Sequence, residues 1–223
     1  MGVIMMTKDN TVFAKGCGFY KIVWLFMIGA FCGDIIETVF CRFSMGRWMS
    51  RSSVVWGHFS IVWGGAIALA SVLLYKYKNR SAGFLFLCGC GIGGVFEYVA
   101  SVFTQVVFGT VFWDYSKIPL NINGRVNVLF CAFWGIACVV WFKVLYPLIS
   151  GKIERIPIKT GKILTWGMLV FMSLNMVVSS MALIRNEQRK QGEPAVYRWQ
   201  EVMDKRFDDN RLKQIYPSAI KVI

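Results

Sequence analysis

Two glutamates carry most of the chemistry this sequence can offer. Glu37 closes the run Gly29-Ala30-Phe31-Cys32-Gly33-Asp34-Ile35-Ile36-Glu37, and Glu97 closes Gly89-Cys90-Gly91-Ile92-Gly93-Gly94-Val95-Phe96-Glu97. Both runs have the form Gly-x3-Gly-x3-Glu and lie sixty residues apart in otherwise apolar sequence. An ionised side chain at membrane depth costs about 2.5–3.5 kcal/mol on insertion scales, so each carboxylate is expected to be paired or to face a cavity. Each is followed by a polar loop with an arginine, Arg51 or Arg125, read as opening the next apolar helix and serving as the counter-ion. Two arrangements satisfy this: a structural salt bridge in each hairpin, or a polar outward cavity lined by Glu37, Glu97, Arg51 and Arg125. Asp34 shares much of the Glu37 face, since residues three apart lie together on a helix. The loop from Trp113 to Arg125 adds Asp114, Tyr115, Asn121 and Asn123 as candidate ligand-binding or ion-pair residues. Its Asn123-Gly124 pair signals a turn and Pro119 an extended approach, so it reads as an ordered cap over the outer helix ends.

The elements that must position these groups are membrane helices. The chain of 223 residues is 56% hydrophobic, 16% aromatic and only 17% charged, with a mean hydropathy of +0.52. Soluble domains run nearer a quarter charged, so an all-α integral membrane protein is expected. About 20 apolar residues span the hydrocarbon core, and five stretches qualify: Ile22 to Cys41, Val54 to Tyr75, Ala82 to Gly109, Val126 to Phe142 and Ile163 to Ile184. The first four form a parallel two-helix repeat, about residues 22–75 and 82–142, each second helix holding a Trp-Gly pair, Trp63-Gly64 or Trp134-Gly135. The membrane domain thus covers residues 1–184, and 185–223 form a polar tail. The glycine stripes are grooves through which helix backbones approach closely.

Charge orients the bundle. Lys8, Lys15, Lys21, Lys76, Lys78, Arg80, Lys143, Lys152, Arg155, Lys159 and Lys162 fall on one face; Arg42, Arg47, Arg51, Lys117 and Arg125 fall on the other. The positive-inside rule then places the N-terminus in the cytoplasm of a multi-pass cell-membrane protein. Five spans put the tail outside, although Arg185, Arg189 and Lys190 beside the membrane pull the other way. The net charge of +13 needs no nucleic acid to explain it. The first apolar run follows Lys21 without an Ala-x-Ala cleavage pattern and reads as a retained helix. Seven cysteines, odd in number and mostly inside spans, imply neither a disulfide framework nor a metal site. His58 reads as a packed histidine one turn into the second helix, and Asn175 and Ser179 as interhelical hydrogen-bonding groups. The tail has nine basic and six acidic residues, and Val196, Trp199, Val202, Met203 and Phe207 recur at helical spacing. It reads either as an amphipathic helix at the interface or on a partner, or as a loosely ordered segment.

The run from Glu97-Tyr98 through Trp113-Asp114-Tyr115-Ser116, Pro119, Asn121 and Asn123-Gly124-Arg125 to Trp134-Gly135 and Pro147 resembles the ABC-transporter type IV membrane family of transporter permeases, over about residues 26–180. Glu37 and Arg51 match that family's first-half glutamate and arginine. The first half departs elsewhere: Ser50 and Ser52 flank Arg51 in place of asparagine and glycine. Gly57-His58-Phe59-Ser60-Ile61-Val62-Trp63-Gly64 stands for a Gly-Pro…Pro-Ile-Tyr-Gly stretch, and Asn175 stands for an aspartate. The resemblance implies a bacterial transport-related membrane protein. Thr160-Gly161-Lys162-Ile163 lacks the remainder of a Walker A loop, so ATP hydrolysis would fall to a separate ATPase chain. Two function classes result. One is a transporter component binding a small solute or ion in the outer cavity, as a homo-oligomer or hetero-complex without cofactor. The other is a non-transporting membrane interaction or regulatory protein. An intramembrane enzyme is the weakest class, because no catalytic residues stand out; Asp114, Tyr115 and His58 share no spacing that defines a site.

Overall fold

A computed structural model describes residues 12–221 of the chain; Lys8, counted above among the orienting charges, lies outside them. Among the described residues, four helices are long and apolar enough to cross a bilayer: α1 (Phe19–Met45), α3 (Ala82–Phe108), the continuous rod Val128–Glu154, and α6 (Ile158–Lys190). The rod is α4 (Val128–Val140), a π turn over Trp141–Leu145, and α5 (Tyr146–Glu154). Pro147, in the first turn of α5, has no N–H to donate, and the wide turn just before it absorbs that gap in the ladder. Helix α2 (Ile61–Leu74) is shorter. Its 14 residues rise about 21 Å at 1.5 Å each, and the 3-10 turn Tyr75–Tyr77 that continues it adds about 6 Å, still short of the roughly 30 Å hydrocarbon core.

The short second helix corrects the expectation of a helix from Val54. Residues 49–60 run as irregular backbone, with Ser60 as the N-cap of α2. Neither arginine opens a helix: Arg51 stands ten residues before α2, and Arg125 sits in a hairpin of β2 (Asn121–Ile122) with β3 (Val126–Asn127). His58 likewise lies in the irregular segment and not inside a helix. Apolar composition alone cannot separate buried extended backbone from helix, which is why the boundary failed.

The segment has its backbone satisfied by side chains. Asn175 of α6, fully buried, accepts from Trp56 N at 3.1 Å and donates to Trp56 O at 2.7 Å. Ser179 accepts from Val55 N at 2.9 Å. The Ser52 hydroxyl has the carbonyls of Val54 and Gly57 at 2.9 and 3.0 Å as alternative acceptors for its one proton. Asn175 lies near the middle of the apolar part of α6, so this is non-helical backbone at membrane depth. Such backbone is tolerated where protein buries it or where it lines a cavity. Asn175 and Ser179 thus bind a loop rather than a neighbouring helix.

At the opposite end, Lys21 is fully buried, and its ammonium donates to Glu154 Oε1 at 2.7 Å and Ser150 O at 3.2 Å. That ion pair ties α1 to α5 over an apolar cluster that includes Phe13, Leu25, Leu85, Trp141 and Tyr146.

The polar tail folds back onto the bundle. Helices α7 (Arg198–Arg206) and α8 (Asp209–Ile215) pack Met203, Phe207, Leu212 and Tyr216 against Val55, Ala182 and Leu183. Val196 and Val202 of the expected apolar stripe stay exposed. A last strand, β4 (Ile220–Lys221), pairs antiparallel with β1 (Thr110–Val111). Arg185, 3% exposed, donates to both oxygens of Asp204 at 2.9 and 3.0 Å, and Arg189 reaches Asp204 at 2.6 Å. Arg185, with help from Arg189, holds the Asp204 carboxyl below the usual carboxylate range against the cost of its own desolvation. A depressed carboxylate contributes stability that is complete above its unfolded value and is lost as pH falls through the folded one. Tail docking should therefore loosen on acidification below about pH 4. Asp204→Asn should weaken docking at neutral pH by about 1–2 kcal/mol, a figure discounted for the partial exposure of the pair. Faster amide exchange in residues 198–216 of that variant, with α1 and α3 unchanged, is the expected reading; unchanged exchange there contradicts it.

Candidate functional site

The two tight hairpins place the carboxylates. In α1–α2, a Cβ on Gly33 would sit 2.3 Å from the Cβ of Trp63, and in α3–α4 a Cβ on Gly93 would sit 2.4 Å from that of Trp134. Each tryptophan thus lies against a glycine one turn before a glutamate, and each indole N–H reaches that glutamate. Trp63 Nε1 donates to Glu37 Oε2 at 3.1 Å, and Trp134 Nε1 to Glu97 Oε2 at 3.2 Å. The two indoles then meet each other, with ring centroids 5.1 Å apart. Carboxylate, indole, indole and carboxylate form one chain of contacts from α1 to α3.

The second oxygens differ. Glu37 Oε1 accepts from Arg51 Nε at 2.7 Å, the ion pair expected from spacing. Glu97 Oε1 accepts instead from the Tyr115 hydroxyl at 2.6 Å. Arg125, the expected counter-ion, turns to Ser101 Oγ at 3.1 Å and to Gln105 Oε1, with its guanidinium 5.9 Å from the Tyr98 ring. Glu97 is 5% exposed, so a buried carboxylate is held by two neutral donors.

The cap explains how Tyr115 gets there. Asn123 and Gly124, in the three-residue connection between Ile122 and Val126, both have positive φ, 52° and 67°, as the two central residues of a type I′ turn require. Arg125 N closes the turn onto Ile122 O at 3.0 Å. Tyr115 N donates to Gly124 O at 2.7 Å, and its ring stacks on Phe130 at 4.4 Å and 14°. Burial, then the neighbouring Glu97, pushes the Tyr115 phenol upward, so it acts as a donor throughout the physiological range. Asp114, Asn121 and Asn123 serve the loop itself. Asp114 accepts from the N–H and hydroxyl of Ser116, which lower its carboxyl, and Asn121 accepts from Gly124 N. Asn123 donates to the Tyr98 hydroxyl at 3.2 Å. Of the candidate residues, Glu37, Arg51, Glu97 and Tyr115 come to the indole pair, whereas Asp114, Asn121, Asn123 and Arg125 shape and tether the cap. Trp63 and Trp134, visible in sequence only as Trp-Gly pairs, are the partners that residue spacing missed.

The family model described as "Putative ABC-transporter type IV" matches residues 24–180. The chain belongs to this family. The match takes in α1 through most of α6, and with it both glutamates, both indoles, the irregular segment and the cap. No curated protein and no solved structure matches the chain. Together with the four apolar helices, membership in the ABC-transporter type IV family makes this a transporter-like membrane protein.

Proposed function

We propose that the chain is the permease-like component of a bacterial plasma-membrane transport system. Its polar outward site would take a small solute or ion at Glu37, Arg51, Glu97 and Tyr115, under a cap shaped by Asp114, Asn121, Asn123 and Arg125. The observation that carries this reading is Glu97, buried in an apolar helix and, among the described residues, held by hydrogen bonds from the neutral donors Tyr115 and Trp134. A structural salt bridge would place a cation there, as Arg51 does at Glu37. The energy source is a separate ATPase chain, the assembly is a homo-oligomer or hetero-complex in the bilayer, and the chain itself has no catalytic role.

This reading has five crossings, α2 reaching the outer side through the irregular segment, and the first four as a parallel repeat. Matching contacts support the repeat. Gly64 faces Phe26 and Ala30, while Gly135 faces Phe86 and Cys90; Gly29 faces Ile67, while Gly89 faces Cys138. One offset of sixty relates the first helices and one of seventy-one the second. The N-terminus is cytoplasmic and the tail outside. Arg185 and Arg189, which weigh against that orientation as bare charges, are paired to Asp204 and Asp209.

The test is thermal unfolding of the purified full chain across a panel of inorganic ions, amino acids and sugars. A ligand at a hundred times its Kd stabilises by about 2.7 kcal/mol. At least one compound should raise the melting temperature of the wild type and leave Glu97→Gln unmoved. Equal stabilisation of the variant sinks the cavity.

A further inference from the structure

A second buried carboxylate lies beside this site with a different environment. Asp34 is 1% exposed on α1, one turn before Glu37, and neither of its oxygens receives a well-formed hydrogen bond; the nearby Thr38 hydroxyl is also unpartnered. His58 Nδ1 stands 3.2 Å from Asp34 Oδ2, while 74% of the imidazole side chain is exposed. The histidine cannot drift from this position freely. Two residues before it, Trp56 is pinned to Asn175, and two residues after it, Ser60 N donates to Ala30 O at 2.9 Å. The titratable and charged groups around Asp34 are His58 and Arg51 from the irregular segment and Glu37 from its own helix. Arg51 is already committed to Glu37.

A carboxylate without donors at membrane depth is stable only when a cation or a proton accompanies it. An imidazole spanning the distance from solvent to that carboxylate has the form of a proton shuttle, because its two nitrogens can exchange roles. We propose that Asp34 and His58 form a proton-binding relay in the outer half of the bundle. A hydrated proton adds to Nε2 of neutral His58, giving the imidazolium. The Nδ1 proton then passes to Asp34 Oδ2, leaving a neutral imidazole in its other tautomer and a neutral carboxylic acid. One proton has moved from water to Asp34, with no change in electron count, and the reverse sequence returns it. The relay stands apart from the solute site: a failed Glu97→Gln experiment leaves it untouched, and its own failure leaves the solute site untouched.

Time-resolved infrared spectroscopy after a pH jump, on the full chain in lipid nanodiscs, reads both groups. His58 is the single histidine, so isotope-labelled histidine assigns the imidazole bands without ambiguity. In the wild type, acidification should produce a protonated-carboxyl band together with an imidazole change. Asp34→Asn should remove the carboxyl band and alter the imidazole signal. His58→Gln, a change at an exposed side chain, should slow the rise of the carboxyl band tenfold or more. The relay is overturned by a wild type without the band, by an Asp34→Asn spectrum identical to wild type, or by a His58→Gln variant that protonates at the wild-type rate.

Discussion

Asn175→Ala should cost about 2–4 kcal/mol of stability, because it leaves two backbone groups without their partner at once. The side chain is fully buried and spends its amide on both the N–H and the carbonyl of Trp56. In a soluble protein, water could enter and replace it. At membrane depth the same groups have only protein to turn to, so the irregular segment should detach from α6. Val55 then depends on Ser179 alone, and Ser179→Ala, which strands one backbone N–H of the segment, should cost less. The measurement is a melting temperature in detergent alongside amide exchange of residues 52–60. An Asn175→Ala protein as stable as wild type, with that segment still protected, contradicts the fold described here.

The second large effect concerns two glycines two residues apart. Gly93→Ala should destabilise by about 1–3 kcal/mol even after the helix-propensity gain of about 1 kcal/mol, because overpacking displaces a large side chain. The added methyl would lie 2.4 Å from both Cβ and Cγ of Trp134, atoms close to the backbone that cannot swing aside. Shifting that indole also breaks its bond to Glu97 and its contact with Trp63. Gly91, in the same helix, has nothing within 4 Å of its Cβ position, so Gly91→Ala should be neutral or slightly stabilising. Gly33→Ala should repeat the Gly93 result in the first hairpin. Thermal melts of the three variants decide the matter: a Gly93→Ala protein as stable as Gly91→Ala would show that the hairpins do not close on these tryptophans.

Much of this was legible in the residues. Gly-x3-Gly-x3-Glu places both carboxylates one turn beyond a helix-packing groove, and the grooves are where α2 and α4 dock. Arg51 meets Glu37 as its spacing suggests. Arg125 does not meet Glu97, because the type I′ turn at Asn123-Gly124 directs the cap so that Tyr115 arrives first. Spacing along the chain carries no information about which of two loop residues a hairpin will aim inward. The irregular segment before α2 was hidden for another reason. Val54 and Val55 are buried as a helix's residues would be, and polar groups that bind its backbone come from Asn175 and Ser179, more than a hundred residues away. The tail's stripe was visible, but its docking depends on Arg185 and Arg189, which read in sequence as solvent or membrane-surface charges.

In the proposed function, this chain is the membrane component of a transport assembly driven by another subunit. Affinity purification of the full chain from the membranes of its own source cell, in mild detergent, tests it most directly. The account predicts a stoichiometric partner carrying a Walker A motif, with ATP hydrolysis in the purified complex that Glu97→Gln uncouples from solute. Recovery of the chain with no nucleotide-hydrolysing subunit, or with a signalling or cell-wall protein in its place, would contradict it.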